Sequence, residues 1–290
     1  MSTARTVPAL GTLALVAASL VLGACGEDDD AEQAAAATPN KLAITASEAG
    51  KQSRLSVPRS VPAGLVTVEL TNTGRVFHEA QLIRLDPGHT PDEALRVIAA
   101  EGAPSPAWIH AAGGTGPAPP GGSRSATQRL RPGSYMVYDA PFMNEGRGVK
   151  FGLATLEVDG EAGGGELPKS TAKVEAYEYG FRASGLRTGN NTIEYSNTGE
   201  EAHHLIAAPY KSGATLAAVR RAFTRERNGA EPPLDFEHTS YTARIDSGTK
   251  QITELHLDKP GKYALLCFVS DREGGPPHVA QGMITEITVR

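Results

Sequence analysis

Apolar and polar residues alternate along Val66-Thr-Val-Glu-Leu-Thr-Asn72 and again along Asn191-Thr-Ile-Glu-Tyr-Ser-Asn197. A period of two turns one face of each segment toward a core and predicts a half-buried β-strand. Both segments run into Asn-Thr-Gly, and a histidine stands four residues beyond each Gly, at His78 and His203. A second pair of segments matches as well: Leu130-Arg-Pro-Gly-Ser-Tyr135-Met-Val-Tyr138-Asp139 and Leu257-Asp-Lys-Pro-Gly-Lys-Tyr263-Ala-Leu-Leu-Cys267. Pro-Gly followed by an apolar run reads as a turn entering a strand. Between these marks each half carries a patch with apolar residues three and four apart, Pro91–Ala100 and Gly213–Phe223, which predicts a short helix. The stretch Val174–Phe181 is expected to open the second half as one strand.

An internal repeat sets the architecture. The chain divides into two homologous β domains, residues 41–160 and 170–290, joined by a Gly-rich linker at 161–169. Several short strands separated by turn residues in each half predict an all-β fold of two tandem sandwiches or small barrels, with short helical insertions. The 290 residues suit two domains, and 32 Gly, 20 Pro and 6% aromatic residues suit turn-rich β structure. The formal charge of −5 argues against a nucleic-acid partner, which calls for a basic stripe.

At the N-terminus, Arg5 precedes an apolar stretch from Val7 to Leu22 that closes in Leu22-Gly-Ala-Cys25. That is the layout of a secretory signal over residues 1–24, and its end resembles the bacterial lipobox. The resemblance implies cleavage before Cys25, a lipid on Cys25, and a place at the cell membrane on its extracytoplasmic (periplasmic or extracellular) face. Residues 25–40 include Glu27-Asp-Asp-Asp30 and an alanine run, a composition expected to form a disordered acidic tether. With Cys25 lipidated, the only other cysteine, Cys267, is expected to be free of any disulfide.

Cys267 carries the chemistry. Ten residues separate it from His278, and four more separate His278 from Met283. A thiolate, an imidazole and a thioether on one loop are a soft donor set that favours copper, and two His, one Cys and a weak axial Met make a blue-copper centre. The second imidazole has to enter from a neighbouring strand. His203 and His204 both stand where it could, and only one can serve, because adjacent strand residues face opposite ways. The repeat aligns His203 with His78 and favours it; His204 is the alternative.

Three marks together, Asn197-x-Gly-x₃-His203, Pro260-Gly-x-Tyr-x₃-Cys267 and Pro277-His278-Val-Ala-Gln-Gly-Met283, resemble the cupredoxin family, which includes plastocyanin, azurin and the type 1 copper domains of nitrite reductases. The resemblance covers most of residues 170–290 and, more weakly, 41–160. It implies Greek-key β-sandwiches, one type 1 copper and one-electron transfer. By position it makes Cys267 the equatorial thiolate, His203 and His278 the imidazoles and Met283 the axial thioether. In the first half Asp139 stands at the Cys position, Lys150 at the second His position and Leu153 near the Met, so no metal is expected there. Family enzymes usually place a His beside the type 1 Cys; here the neighbours are Leu266 and Phe268. A carrier serving a redox partner protein in the cell envelope is therefore expected rather than an enzyme. A copper-handling lipoprotein without electron transfer and a metal-free interaction module are the alternatives. His89, His110, His238 and His256 receive no role.

Overall fold

The computed structural model describes residues 38–98, 100, 104–140, 149–224 and 231–290. The expected signal peptide, Cys25 with its expected lipid and most of the expected tether lie outside the described residues. Among the described residues, no helix is long and apolar enough to cross a membrane.

The alternating segments are strands. In β4 (Gly64–Asn72) Val66, Val68, Leu70 and Asn72 point inward, and in β12 (Gly189–Asn197) Asn191, Ile193, Tyr195 and Asn197 do the same. Their parallel neighbours are β1 (Asn40–Ala49), which adds Leu42, Ile44 and Ala46 to the first core, and β10 (Ala172–Tyr177), which adds Val174 and Ala176 to the second. Hairpins extend the sheet to β2 (Gln52–Ser56) beyond β1 and to β11 (Gly180–Ser184) beyond β10. The stretch Val174–Phe181 is thus a hairpin and not the single strand expected. Its turn falls at Glu178-Tyr179, between β10 and β11.

Facing these strands across the cores are two further sheets. In the first half it is made of β3 (Ser60–Pro62), β5 (His78–Leu85), β6 (Ile109–Ala118), β8 (Gly133–Asp139) and β9 (Gly152–Asp159). In the second half it is made of β13 (Ile206–Pro209), β14 (Ser240–Tyr241), β16 (Gly261–Leu266) and β17 (Ile284–Val289). The runs Tyr135-Met-Val of β8 and Tyr263-Ala-Leu-Leu of β16 are buried without alternation. The reason is a second apolar layer outside each sheet, which holds α1 (Pro91–Ile98) through Ala94 and α2 (Leu216–Phe223) through Val219. A capping box starts α1: Thr90 Oγ1 accepts the Glu93 N–H, and the Glu93 carboxylate accepts the Thr90 N–H.

The halves are not beads on a string. The described residues belong to one compact unit, Ala36–Arg290. Strand β7 (Ser123–Leu130) of the first half pairs antiparallel with β15 (Lys250–Leu257) of the second, which fuses their sheets into one of eight strands. Gln128 and Gln251 stand opposite each other at that seam, and both side-chain oxygens accept the N–H of Gly114. Residues 161–169, read as a linker, are fastened too: the Arg129 guanidinium donates to the carbonyls of Gly163 and Gly165.

Candidate metal centre

The repeat marks turn out to be hinges that aim side chains. Asn197 caps its strand by donating to the carbonyls of Glu201 (2.7 Å) and Ile245 (3.1 Å) while accepting the Gly199 N–H (3.0 Å). Asn72 does the same with Val76, Ala118 and Gly74. Each Asn therefore fixes the loop that delivers the next histidine. The Gly leaves room for an acid: a methyl on Gly199 would collide with the Glu178 carboxylate, and one on Gly74 with Glu48. In the second motif the tyrosine hydroxyl closes the Pro-Gly turn, Tyr135 onto the Arg131 carbonyl and Tyr263 onto the Lys259 carbonyl.

In the second half these devices bring three donors together. His203 Nδ1, His278 Nδ1 and Cys267 Sγ form a triangle with sides of 3.0, 3.5 and 3.7 Å, and all three side chains are fully buried. Among the described residues this is the one set of three such donors within reach of a single ion. The elements that carry it are distant in sequence. Cys267 directly follows β16, His278 opens a short 3₁₀ turn (His278–Gln281), and His203 is held by a two-way bridge to Ile245 (3.0 Å each way). The loop is folded back by Val279 N–H to the Cys267 carbonyl (2.7 Å) and His278 N–H to the Val269 carbonyl (2.8 Å). Met283 is fully buried in the same core cluster as Cys267, with its N–H on the His278 carbonyl (2.9 Å).

His203 and His204 part as adjacent residues should. His204 turns away from the triangle and accepts the Phe268 N–H on Nε2 at 2.8 Å. Burial pushes its pKa down to about 3, which keeps the ring neutral and fit to accept.

Carboxylates hold the far edges of both rings. Glu178 Oε1 lies 2.9 Å from His203 Nε2, and Asp271 Oδ1 lies 3.0 Å from His278 Nε2, off the line for a good hydrogen bond. Burial pushes the Glu178 carboxyl up, but the N–H groups of Glu201 and Glu200 and the His203 ring outweigh it and hold the pKa below the usual value. For Asp271 burial is likewise outweighed, by donors on Gln281, Tyr179 and His278. Neither acid was singled out in the sequence: Glu178 lay in what read as a strand interior and Asp271 in a loop. The signal available was the Gly of each Asn-Thr-Gly, Gly74 and Gly199, small because an acid approaches it.

Burial pushes the Cys267 thiol up to about 12, against N–H groups of His204 and Val269 and the Arg244 charge that favour the thiolate. Burial also lowers His203, opposed by Glu178, and lowers His278 to about 4 with help from the His203 charge. Without a metal the triangle is thus a thiol and two neutral rings. A cation that displaces the thiol proton would find two lone pairs already aimed. The circumcentre of the triangle lies roughly 2 Å from each corner, the length of a metal–imidazole bond. The donors therefore fit the His₂Cys group of a type 1 copper, with a thioether in the same core.

The first half shows what the same frame becomes without cysteine. His78 Nδ1 meets Asp139 Oδ2 at 2.6 Å and its Nε2 faces Glu48 Oε1 at 3.4 Å. Glu48 matches Glu178, accepting the N–H of Arg75 and of Val76. The Ser53 hydroxyl fills the third corner, on Asp139. Lys150, aligned with the second His, is exposed instead and touches Ser53 only through its carbonyl. Leu153, aligned near the Met, packs on the outer layer beneath α1. Burial opposes protonation of His78, but Asp139 and Glu48 overcome it and raise its pKa.

Two Greek-key sandwiches, each with a His aimed by an Asn turn at the end of a core strand, decide the fold family. The fold is cupredoxin-like.

No protein-family model and no curated protein matches the chain. Solved structures do. Auracyanin B is 21% identical over 44% of this chain and 93% of its own, with a TM-score of 0.28. A copper-containing nitrite reductase from Thermus scotoductus is 14% identical over 86% of this chain and 61% of its own, with a TM-score of 0.21. A multicopper oxidase is 15% identical over 86% and 88%, also at 0.21. At such TM-scores these likenesses bear no weight on what the chain does, and the functional reading rests on the triangle.

Proposed function

We propose that residues 170–290 hold one type 1 copper and that the protein carries single electrons at the cell envelope, anchored through a lipid on Cys25. The observation that carries the copper reading is the buried His203–Cys267–His278 triangle with 3.0–3.7 Å sides. Copper bound there supplies a one-electron couple. The chain does the rest. Cys267, once deprotonated, His203 and His278 would hold the ion, and Met283, buried in the same core cluster, would offer a thioether. Glu178 holds the outward nitrogen of His203 and Asp271 faces that of His278, which leaves the Nδ1 lone pairs turned inward. The N–H groups of His204 and Val269 stabilise charge on the Cys267 sulfur, a contact that tunes a copper–thiolate potential. The tight core around Cys267, Tyr195 and Met283 excludes water. A site braced on every side changes little between oxidation states, which favours transfer over catalysis.

The absence of a histidine beside Cys267 supports a carrier over an enzyme, since Leu266 and Phe268 offer no bridge to a second metal. A redox protein of the envelope is the partner this reading calls for. Addition of Cu(II) to the full chain should produce the intense absorption of a copper–thiolate bond, and an electrode should then show a reversible one-electron wave. A chain that binds copper with the colour but without reversible reduction would be a copper-handling protein. One that binds no copper at all would refute the proposal.

A further inference from the structure

A cavity of about 320 Å³ opens between the halves on the side of the metal loop away from the triangle. Its walls come from matching places in the repeat. Glu79 follows His78 and His204 follows His203; Ala140 follows Asp139 and Phe268 follows Cys267; all four line it. The volume is about twice the roughly 150 Å³ of a cavity that takes benzene. Ile83, Val97, Ile98, Ile206 and Phe268 give it an apolar lining.

One group there is out of balance. Arg244 lines the cavity half-buried, and among the described residues its guanidinium has no ion pair or hydrogen bond. Its backbone is pinned from the first half: Gln81 accepts the Arg244 N–H (2.7 Å) and donates to its carbonyl (3.1 Å). Glu79, the acid at this end, does not neutralise it. Burial, and then the Asp139 charge, push its carboxyl up to about 8, against the Arg244 charge, Tyr241 and the Ala140 N–H, which favour the carboxylate but do not outweigh them. The other acids of the cavity are engaged elsewhere. Asp246 pairs with Arg272 (2.9 Å), Glu201 accepts the Arg272 N–H (2.8 Å), and Asp271 accepts from Tyr179 and Gln281.

We infer that this cavity is a binding site for a small organic anion, a carboxylate on a one- or two-ring apolar body, held by Arg244 and covered by the apolar wall. The site needs both halves, which gives the metal-poor first half a role in recognition. It stands independently of the copper reading, although its Phe268 and His204 wall is one residue from two candidate ligands.

Calorimetric titration of the full chain with benzoate, its neutral analogue benzamide and inorganic phosphate tests this. Benzoate should bind one to one. Benzamide, which cannot form the charge-assisted pair, should bind about 10- to 100-fold more weakly, and phosphate, which lacks the apolar body, should bind weakly too. Arg244→Gln should bring benzoate down to the level of benzamide, while Arg244→Lys, which keeps the charge, should bind it more tightly than Arg244→Gln. Benzamide or phosphate binding as tightly as benzoate, equal affinities in the two variants, or no benzoate binding at millimolar concentration would each overturn the inference. The titration is run without metal, so its failure leaves the copper reading untouched and the reverse also holds.

Discussion

Glu178→Gln and Glu48→Gln form a matched pair that separates metal from scaffold. Each acid sits at the same place in its half, accepts two loop N–H groups and faces a histidine edge. For Glu178 these are Glu200 (2.9 Å), Glu201 (2.8 Å) and His203 Nε2 (2.9 Å). For Glu48 they are Arg75 (2.9 Å), Val76 (2.7 Å) and His78 Nε2 (3.4 Å). An amide keeps one acceptor oxygen and turns an NH₂ toward a donor, so each variant loses at least one charge-assisted hydrogen bond. Such a bond contributes about 1.5–3 kcal/mol. The Glu178 side chain is 26% exposed against 5% for Glu48, so Glu178→Gln should sit at the low end of that range and Glu48→Gln at the high end. Copper responds differently. Losing the partner of a ligand imidazole costs about 10- to 100-fold in metal affinity, and of these two acids only Glu178 faces a candidate ligand. Urea unfolding of the metal-free chain measures the first effect, and competition for Cu(II) against a chelator measures the second. Equal loss of copper affinity in both variants, or none in Glu178→Gln, would refute the assignment of His203.

Cys267→Ser should abolish the copper–thiolate absorption while the fold remains, and Met283→Leu should keep the colour and shift the reduction potential, both read by spectroscopy and voltammetry. His204→Ala should keep the colour yet cost about 1–3 kcal/mol in urea unfolding, because it removes the acceptor of the part-buried Phe268 N–H; loss of colour instead would return His204 to the ligand set. Glu79 has a folded pKa raised to about 8 from 4.5, so between those values the folded state keeps a proton that the unfolded state has released. Stability from this group is full below about 4.5 and falls as pH rises toward about 8, by at most about 1.4 kcal/mol per unit. Asp139, Arg244, Tyr138 and Tyr241 face it, and subtracting the profile of Glu79→Gln isolates its share; parallel profiles would contradict the buried neutral carboxyl. Arg272→Ala removes hydrogen bonds from the metal loop to the Pro106 and Ile109 carbonyls and to Asp246, so it should loosen the loop and lower the unfolding midpoint, with hydrogen exchange in residues 104–109 as the local check.

The amino-acid order by itself determined the repeat, the strands and the donors. Alternation is a local property, so β4 and β12 could be read from their own residues. The Cys267–His278–Met283 spacing is local as well, because one loop carries all three. The choice of His203 over His204 needed only the repeat and the two-faced strand. Tertiary structure decided what depends on residues far apart in the chain. Whether Val174–Phe181 runs on or turns depends on β11 finding β10, and the turn that results is what puts Glu178 against His203. Lys150 looked like the counterpart of a ligand, yet the corner it would fill belongs to Ser53 from a strand about a hundred residues earlier. The fused eight-stranded sheet follows from the pairing of β7 with β15, more than a hundred residues apart. Backbone hydrogen bonds between such strands depend on shape and register rather than on any motif, so no pattern in either strand announces them. The cavity beside Arg244 has the same origin: it exists only where two surfaces, each ordinary in sequence, close on one another.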